Sequence, residues 1–375
     1  MTPNYSIEGD FIESKSGYIF EIKGFHQPRD QTIAFIRYAP TSKSSSLDIK
    51  GRNRLNHSKC SLEYYKKIFP LNEKFQYIQE NHPEYFFSHP NYYFPLQAVT
   101  NSEIREHYQP NMFLQLLLKS GEIFSSSSIL KEALDLCQYL SESSGVSLEY
   151  IGITGSLLVG LQNKDSDIDL IVYGYENSIK IRNLIKKNYQ NQDENHPLCA
   201  YSIEDYRDLY KSRAKGSSIS FQNFLRYEVR KLHQGKFRNR DFFIRFLEFS
   251  NREEYKNENQ FEIRRIKSLG RIGISGEIVN DEFWWTTPSR VQIADISIQN
   301  SNNLIHEAND LLRNYYLKIT DIYQIISLRG RFTENVRLLE RFHVYGTLEL
   351  VIPNEKDPFL QISLGTSPED YFFLQ

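Results

Sequence analysis

Three aspartates, Asp165, Asp167 and Asp169, fall within five residues of the stretch GITGSLLVGLQNKDSDIDLIVYG, residues 152–174. Strands usually avoid so much negative charge, yet the apolar run that follows reads as one. In a strand, residues i and i+2 share a face. Asp167 and Asp169 therefore project together while Ile168 turns to the core. Their Cβ atoms are then about 6–7 Å apart, and two unit charges at that distance repel by about 3 kcal/mol at an effective dielectric of 20. A solvated strand end tolerates this; a closed cleft tolerates it with a cation between the carboxylates. Mg2+, held by one or two carboxylates plus substrate phosphates, suits the pair. Asp165 reads as a turn residue.

The Gly-Ser pair upstream has a matching chemistry. GITGS reads as a strand running into a helix start. Gly155 lets the backbone turn and lets a ligand approach. Ser156, at or near the N-cap, offers a hydroxyl and free N–H groups to a phosphate. The residues between Ser156 and Asp167 suffice for a short helix and a turn, which brings phosphate holder and metal holder to one edge of two neighbouring strands.

The stretch TGSLLVGLQNKDSDIDLIV, residues 154–172, resembles the signature of the DNA polymerase beta-like nucleotidyltransferase superfamily. The chain as a whole resembles stand-alone archaeal proteins with that domain. The resemblance implies transfer of a nucleoside monophosphate from an NTP to an acceptor, with release of pyrophosphate. It implies that Asp167 and Asp169 bind two Mg2+ ions, for which Mn2+ can substitute, and that Gly155 and Ser156 hold the triphosphate. The family also carries a third carboxylate on a later strand. Here that strand is DFFIRFLEF, 241–249, opened by Asp241 and closed by Glu248. Asp241 is favoured as the third catalytic and metal-binding acid, with Glu248 the alternative. The family pattern prefers a mid-strand acid where this chain has Arg245, which shares parity with Asp241 and would face the triphosphate.

Residues 211–245 hold ten Lys/Arg against two acids, Glu228 and Asp241. One reading is a solvated basic helix. The other is a phosphate-facing wall of Arg226, Arg230, Lys231, Lys236, Arg238 and Arg240, neutralising a triphosphate or an RNA backbone; it makes Lys231 and Arg245 nucleotide-binding candidates. Phe224, Tyr227 and Phe237 lie among them and read as core before they read as base-stacking groups. The same holds for Trp284 and Trp285.

The elements that must position these residues follow from periodicity. Residues 17–25 and 31–40 alternate as half-buried strands, 41–53 form a serine-rich loop, and short helices break at Pro70 and His82-Pro83. A helix capped by Ser127 or Ser128 carries Leu130, Leu134, Cys137 and Leu140 on one face. A strand over 148–154, the DIDLIVYG strand, a helix over 177–189, helices over 203–214 and 220–234, and the 241–249 strand complete an α/β unit with a mixed sheet. Segments 270–279, 289–298, 322–332, 342–352 and 359–366 alternate again. Gly276 and Gly346 sit mid-run, where a bent strand wants glycine, and a helical insertion separates two of the segments. This suits a small closed β-barrel of the OB type; a small sandwich would read almost the same. The expected fold class is multidomain α+β: an N-terminal mixed domain (1–118), a central α/β catalytic domain (119–258) and an OB-like barrel (259–375).

Composition frames these expectations. The 375 residues are 40% hydrophobic, with 25 Tyr and 25 Phe, enough to build large cores. A formal net charge of −2 leaves nucleic-acid binding to local charge. Cys60, Cys137 and Cys199 form no CxxC pair, and His57 with Cys60 is too little for a zinc site. The first residues lack a basic and apolar leader pattern, and the chain reads as soluble and cytoplasmic. The expected activity is Mg2+-dependent nucleotidyl transfer, with RNA the favoured acceptor. The alternative is a nucleic-acid-binding protein that keeps the fold without activity.

Overall fold

The alternating segments of the first hundred residues form an eight-stranded sheet in the computed structural model. The model describes residues 6–23, 27–28, 30–41, 50–52, 63–69, 71–88, 92–120, 128–190, 196–213, 219–254, 263–354, 356–367 and 369–375. Most of the expected 41–53 loop, together with His57, Cys60 and Ser127, lies outside these residues. The chain divides into two compact units. The first comprises residues 1–88, 94–199 and 233–258; the second comprises 89–93, 200–232 and 259–375.

In the first unit, β1 (Phe11–Ser14), β2 (Ile19–Ile22), β3 (Gln31–Thr41), β4 (Lys50–Arg52), β5 (Glu63–Lys67), β6 (Phe86–Phe87), β7 (Leu96–Thr100) and β8 (Ile104–Tyr108) make the N-terminal sheet. Its main path is β4-β5-β3-β2-β1-β8, with β7 paired to β3 and β6 to β7. Helix α1 (Leu71–Asn81) ends before Pro83, as proline's restriction on the preceding residue favours; Pro70, the other expected break, lies outside the described residues. One face of this sheet buries Ile12, Phe20, Ile22, Ala34 and Ile36 against Ile78 of α1. The other buries Phe11, Ile19, Tyr38 and Tyr65 against Leu158, Val159 and Leu161, the residues that follow the Gly-Ser pair.

Helices α2 (Pro110–Ser120) and α3 (Ser128–Ser144) lead into the second sheet of this unit. Buried Ile129, Leu130, Ala133, Leu136, Cys137 and Leu140 give α3 its apolar stripe. Then come β9 (Ile151–Ile153), the short α4 (Gly155–Leu158), β10 (Ile168–Tyr173), α5 (Tyr175–Gln190), β11 (Leu198–Cys199), β12 (Gln234–Phe237) and β13 (Arg240–Leu247). The sheet order is β11-β12-β13-β10-β9. It is mixed, as expected: β10 and β13 are parallel, and β9 and β12 run antiparallel to them.

Two elements differ from the sequence expectation. Residues 148–150 form a 3-10 turn ahead of β9 instead of extending it. The helix expected over 220–234 stops at Glu228 in α7 (Phe221–Glu228), which follows α6 (Ile203–Arg213); residues 234–237 instead form β12. The hairpin turn to β13 is Arg238-Asn239, both at positive φ, 46° and 70°. That backbone is characteristic of a two-residue type I′ turn, without the usual Asn-Gly that would have marked it.

The second unit holds α6, α7 and a six-stranded sheet: β14 (Ile263–Asn280), β15 (Ser289–Leu304), β16 (Ile322–Ser327), β17 (Arg341–Pro353), β18 (Phe359–Leu364) and β19 (Tyr371–Leu374). Its order is β14-β15-β16-β18-β17-β19, with a further β14–β17 ladder. Helix α8 (Ala308–Arg313) lies between β15 and β16. The interior is apolar, with Trp284, Phe342, Leu348, Ile362 and Phe372 at its centre. Gly346 is required by close approach, since a Cβ there would lie 2.6 Å from Ile362 Cγ2. Trp285 is buried as well as Trp284. The described residues thus form a mixed α/β molecule of three sheets. No helix among them is long and apolar enough to cross a membrane.

Candidate active site

The site builds outward from the end of β9. Thr154 donates its backbone N–H to the Asp169 carbonyl at 2.9 Å, which ties the start of α4 to β10. Gly155 has φ +66°, and a Cβ there would sit 2.1 Å from Asp169 Oδ2. Glycine is therefore needed twice, for the left-handed backbone and for the carboxylate packed against it. Thr154 is the N-cap of α4; Ser156 is the second helical residue and is half-buried.

The turn before β10 is tied by its own side chains. Asn163 accepts from the Asp165 N–H at 2.8 Å, and Ser166 Oγ accepts from the Asn163 N–H at 2.9 Å. Asp165 is thus an exposed turn residue, matching the sequence reading. Arg240 clamps the same turn from β13. Its Nη1 donates to the carbonyls of Lys164 at 2.7 Å and Ser166 at 3.1 Å, and its Nε donates to Glu132 of α3 at 2.8 Å.

The β10–β13 register pairs Ile168 with Phe242, Asp169 with Phe243 and Ile171 with Arg245. Asp167 and Asp241 each immediately precede the first of these pairs. By strand alternation, Asp167, Asp169, Asp241 and Arg245 share one face. Glu248 lies beyond the opposite end of β13, where its carbonyl accepts from the Tyr175 N–H at 2.9 Å. Asp167 and Asp241 are exposed, and Asp169 is half-buried. Burial first, and then the charge of Asp167, pushes the Asp169 carboxyl up to about 7; Arg245 and Arg37 act in the opposite direction. A pair of carboxylates in mutual repulsion, one of them desolvated, is a donor set suited to a divalent cation. Among the described residues, no group of three or more His, Cys, Asp or Glu is gathered closely enough to hold a metal. The fit to Mg2+ therefore rests on the Asp167–Asp169 pair.

The N-terminal sheet covers part of this face. Thr154 Oγ1 donates to the Gly9 carbonyl at 2.7 Å, and a Cβ at Gly9 would lie 2.2 Å from Ile171 Cδ1. Ile7 packs with Ile171, Tyr173 and Leu247. Arg245 forms ion pairs with Glu8 at 2.9 Å and with Glu21. Lys23 bridges the same two acids, at 3.3 and 2.9 Å. Burial alone would raise the Glu21 carboxyl, but the charges of Lys23, Arg245, Arg37 and Lys74 hold it well below its usual range. Below this cluster, Asp10 accepts from both Nη atoms of Arg252 and lies 2.8 Å from His107 Nε2.

The basic segment is largely engaged with acids of the chain itself. Arg238 pairs with Asp135 and Arg240 with Glu132. In the second unit, Arg230 pairs with Glu340. Lys231 is fully buried and donates to Glu228 at 2.6 Å and to the Arg331 carbonyl at 3.0 Å. Burial pulls its ammonium below the usual range, and the charge of Glu228 opposes this without reversing it. The expected phosphate-facing wall is thus corrected at these positions. The charges are internal ion pairs because acids from α3 and from the segment before β17 meet them. Phe224, Tyr227 and Phe237 are buried, as core residues are.

Several residues of the site were not evident from the sequence: Thr154, Arg37, Glu8 and Glu21; Arg240 was, but as a phosphate group and not as the clamp of the turn. One signal was available. Glu8, Asp10 and Glu13 fall within six residues leading into and along β1, a crowding of acids like that before β10, and all three are buried.

Residues 136–215 match the nucleotidyltransferase domain family. The match covers this segment of the chain and is consistent with a member of the polymerase beta-like superfamily. The matched segment contains Gly155, Ser156, Asp167 and Asp169 and ends before β12 and β13. The chain is also similar to the uncharacterized protein MJ1086 of Methanocaldococcus jannaschii, at 24% identity over 369 residues covering 96% of each chain. No solved structure matches the chain significantly.

Proposed function

We propose that this nucleotidyltransferase transfers a nucleoside monophosphate from an NTP to an acceptor hydroxyl, with RNA as the acceptor. The observation that carries the reading is the common face of Asp167, Asp169 and Asp241 beside the glycine cradle at Gly155. Asp167 and Asp169 would hold Mg2+, or Mn2+ in its place; Asp241, the third acid expected from the sequence, shares their strand face but is not gathered with them among the described residues, so its part would be that of a base. When bound, the metal supplies charge neutralisation at the phosphates and at the attacking oxygen. The bond formed joins the acceptor oxygen to the α-phosphorus. The bond broken is the α,β-anhydride, so pyrophosphate leaves, and Asp241 takes the hydroxyl proton. Gly155 and Ser156 place N–H groups and a hydroxyl toward the triphosphate. Arg245 contributes positive charge from below, held in place by Glu8 and Glu21. The ion pair of Lys231 with Glu228 removes Lys231 from this set.

We assign transfer to residues 119–258 and acceptor selection to the flanking segments 1–118 and 259–375. The ladders β14–β15, β15–β16, β16–β18, β18–β17 and β17–β14 return to their starting strand, with β16 and β18 parallel. This supports a small closed barrel of the OB type, an architecture suited to oligonucleotides, and with it an RNA acceptor. The buried, unbridged thiol of Cys137 supports a reducing, cytoplasmic setting.

A second reading, nucleic-acid binding without transfer, draws on the engagement of Arg245 by Glu8 and Glu21 and on the spacing of Asp241 from the other two acids. One experiment separates the two. The protein is incubated with each labelled NTP, Mg2+ and total RNA, beside the double variant Asp167→Ala, Asp169→Ala. Transfer that disappears in the variant supports the enzyme. Transfer that survives overturns the metal assignment. Salt-dependent RNA binding with no turnover in any divalent metal favours the second reading.

A further inference from the structure

The cations over the carboxylate face are unevenly engaged. Lys23 and Arg245 each pair with both Glu8 and Glu21. Arg37 is different. Among the described residues no carboxylate lies within ion-pair distance of its guanidinium. Its described contact is the ring of Phe69, 5.4 Å to the centroid, and that ring is 62% exposed.

The backbone explains where Arg37 is placed. In the β2–β3 ladder Ile19 pairs with Tyr38 and Phe20 with Ile36, so Arg37 is the extra residue of a β-bulge. Bulges re-aim a side chain out of the strand's alternation. On one side of Arg37, Phe35 pairs with Glu21. On the other, Tyr38 packs against Leu158, Val159 and Leu161, just after the Gly-Ser pair. The bulge thus sits between the acid cluster and the turn that leaves α4. The charge of Arg37 acts on both Asp169 and Glu21.

We propose that Arg37 binds the pyrophosphate portion of the nucleotide substrate, so that the N-terminal sheet supplies part of the nucleotide site. This rests on the nucleotidyltransferase reading above. A guanidinium presents paired N–H donors that match phosphate oxygens. Glu8 and Glu21 face the same region, but Lys23 and Arg245 neutralise them. Asp167 and Asp169 are the acids assigned to the cation. Arg37 is then a cation beside this face with no carboxylate of its own among the described residues, and the negative charge that builds on the leaving group as the α,β-bond breaks strengthens the contact.

The test uses the full chain with Mg2+, titrated separately with an NTP, the matching NMP and inorganic pyrophosphate. Wild type is compared with Arg37→Gln and Arg37→Lys, each checked for an unchanged thermal transition. We expect Arg37→Gln to weaken NTP and pyrophosphate binding about tenfold or more, to leave NMP binding unchanged, and to be partly rescued by Arg37→Lys. Equal weakening of NMP and NTP would assign Arg37 a structural role and overturn the proposal, as would unaltered pyrophosphate binding. A wild-type chain that binds neither NTP nor pyrophosphate overturns the transferase reading itself, a result distinct from a variant that binds as wild type does.

Discussion

Gly155 concentrates the logic of the site in one residue. Its φ of +66° and the 2.1 Å between an added Cβ and Asp169 Oδ2 leave no room for a side chain. Gly155→Ala should cost about 1–2 kcal/mol from the backbone alone. It should also displace the Asp169 carboxylate, so that label transfer falls further than the thermal transition does; equal retention of both would contradict the cradle. The Asp pair and the Gly-Ser pair were legible because their residue types and spacing are local. Arg37 was not, nor were the partners of Arg240 and Arg245. Arg240 acts through Glu132, 108 residues away, and Arg245 through Glu8, 237 residues away, and no local pattern announces such partners. Arg245 looked anomalous in mid-strand only because the acids that face it come from the other end of the sequence.

At the scale of elements, the β12–β13 hairpin carries the same lesson. The sequence run from 220 reads as helix to 234, yet the chain ends α7 at Glu228 and turns at Arg238-Asn239 with both residues at positive φ. An Asn-Gly pair would have revealed the turn; Arg-Asn does not. Asn239→Gly should therefore stabilise the protein by up to about 1 kcal/mol, because the left-handed backbone cost it removes exceeds the entropy glycine adds to the unfolded chain, and raise the midpoint of denaturant unfolding. Asn239→Val should lower it, since a β-branched residue disfavours that conformation. A midpoint unchanged in both variants would mean that the turn is held by tertiary contacts alone. The long strands were better predicted. β10 was recognised by its apolar run and β3 by its alternation, because both bury one or both faces and the burial pattern is written in the residues themselves.

At the scale of the whole molecule, the mixed α/β character was anticipated, and what was missed was how much charge is buried within each unit. Glu349 on β17 is an example in the second unit. It is buried and accepts from Tyr93 at 2.8 Å and from Gln361 at 2.6 Å, yet burial outweighs these bonds and raises its carboxyl above the usual 4.5. The folded state therefore prefers the neutral acid. Its contribution to stability is complete below the unfolded value. It declines as pH rises past that value and is lost once the folded carboxyl also ionises. In thermal or denaturant unfolding from pH 4 upward, wild type should lose stability relative to Glu349→Gln; parallel curves would refute the shift.

The bond from Thr154 to the Gly9 carbonyl, with Ile7 and Gly9 pressed on Ile171, has an evolutionary consequence. The recognisable domain segment, residues 136–215, is not a cassette that could be shuffled alone. Moved to another setting, it would bring the apolar strand β10 without its cover and without its parallel neighbour β13, whose Arg245 pairs with the acids of the N-terminal sheet. The N-terminal sheet and the catalytic sheet must be inherited as a pair, with drift in one constraining drift in the other. A relative that diverged to 24% identity yet aligns across 96% of both chains fits that kind of joint descent.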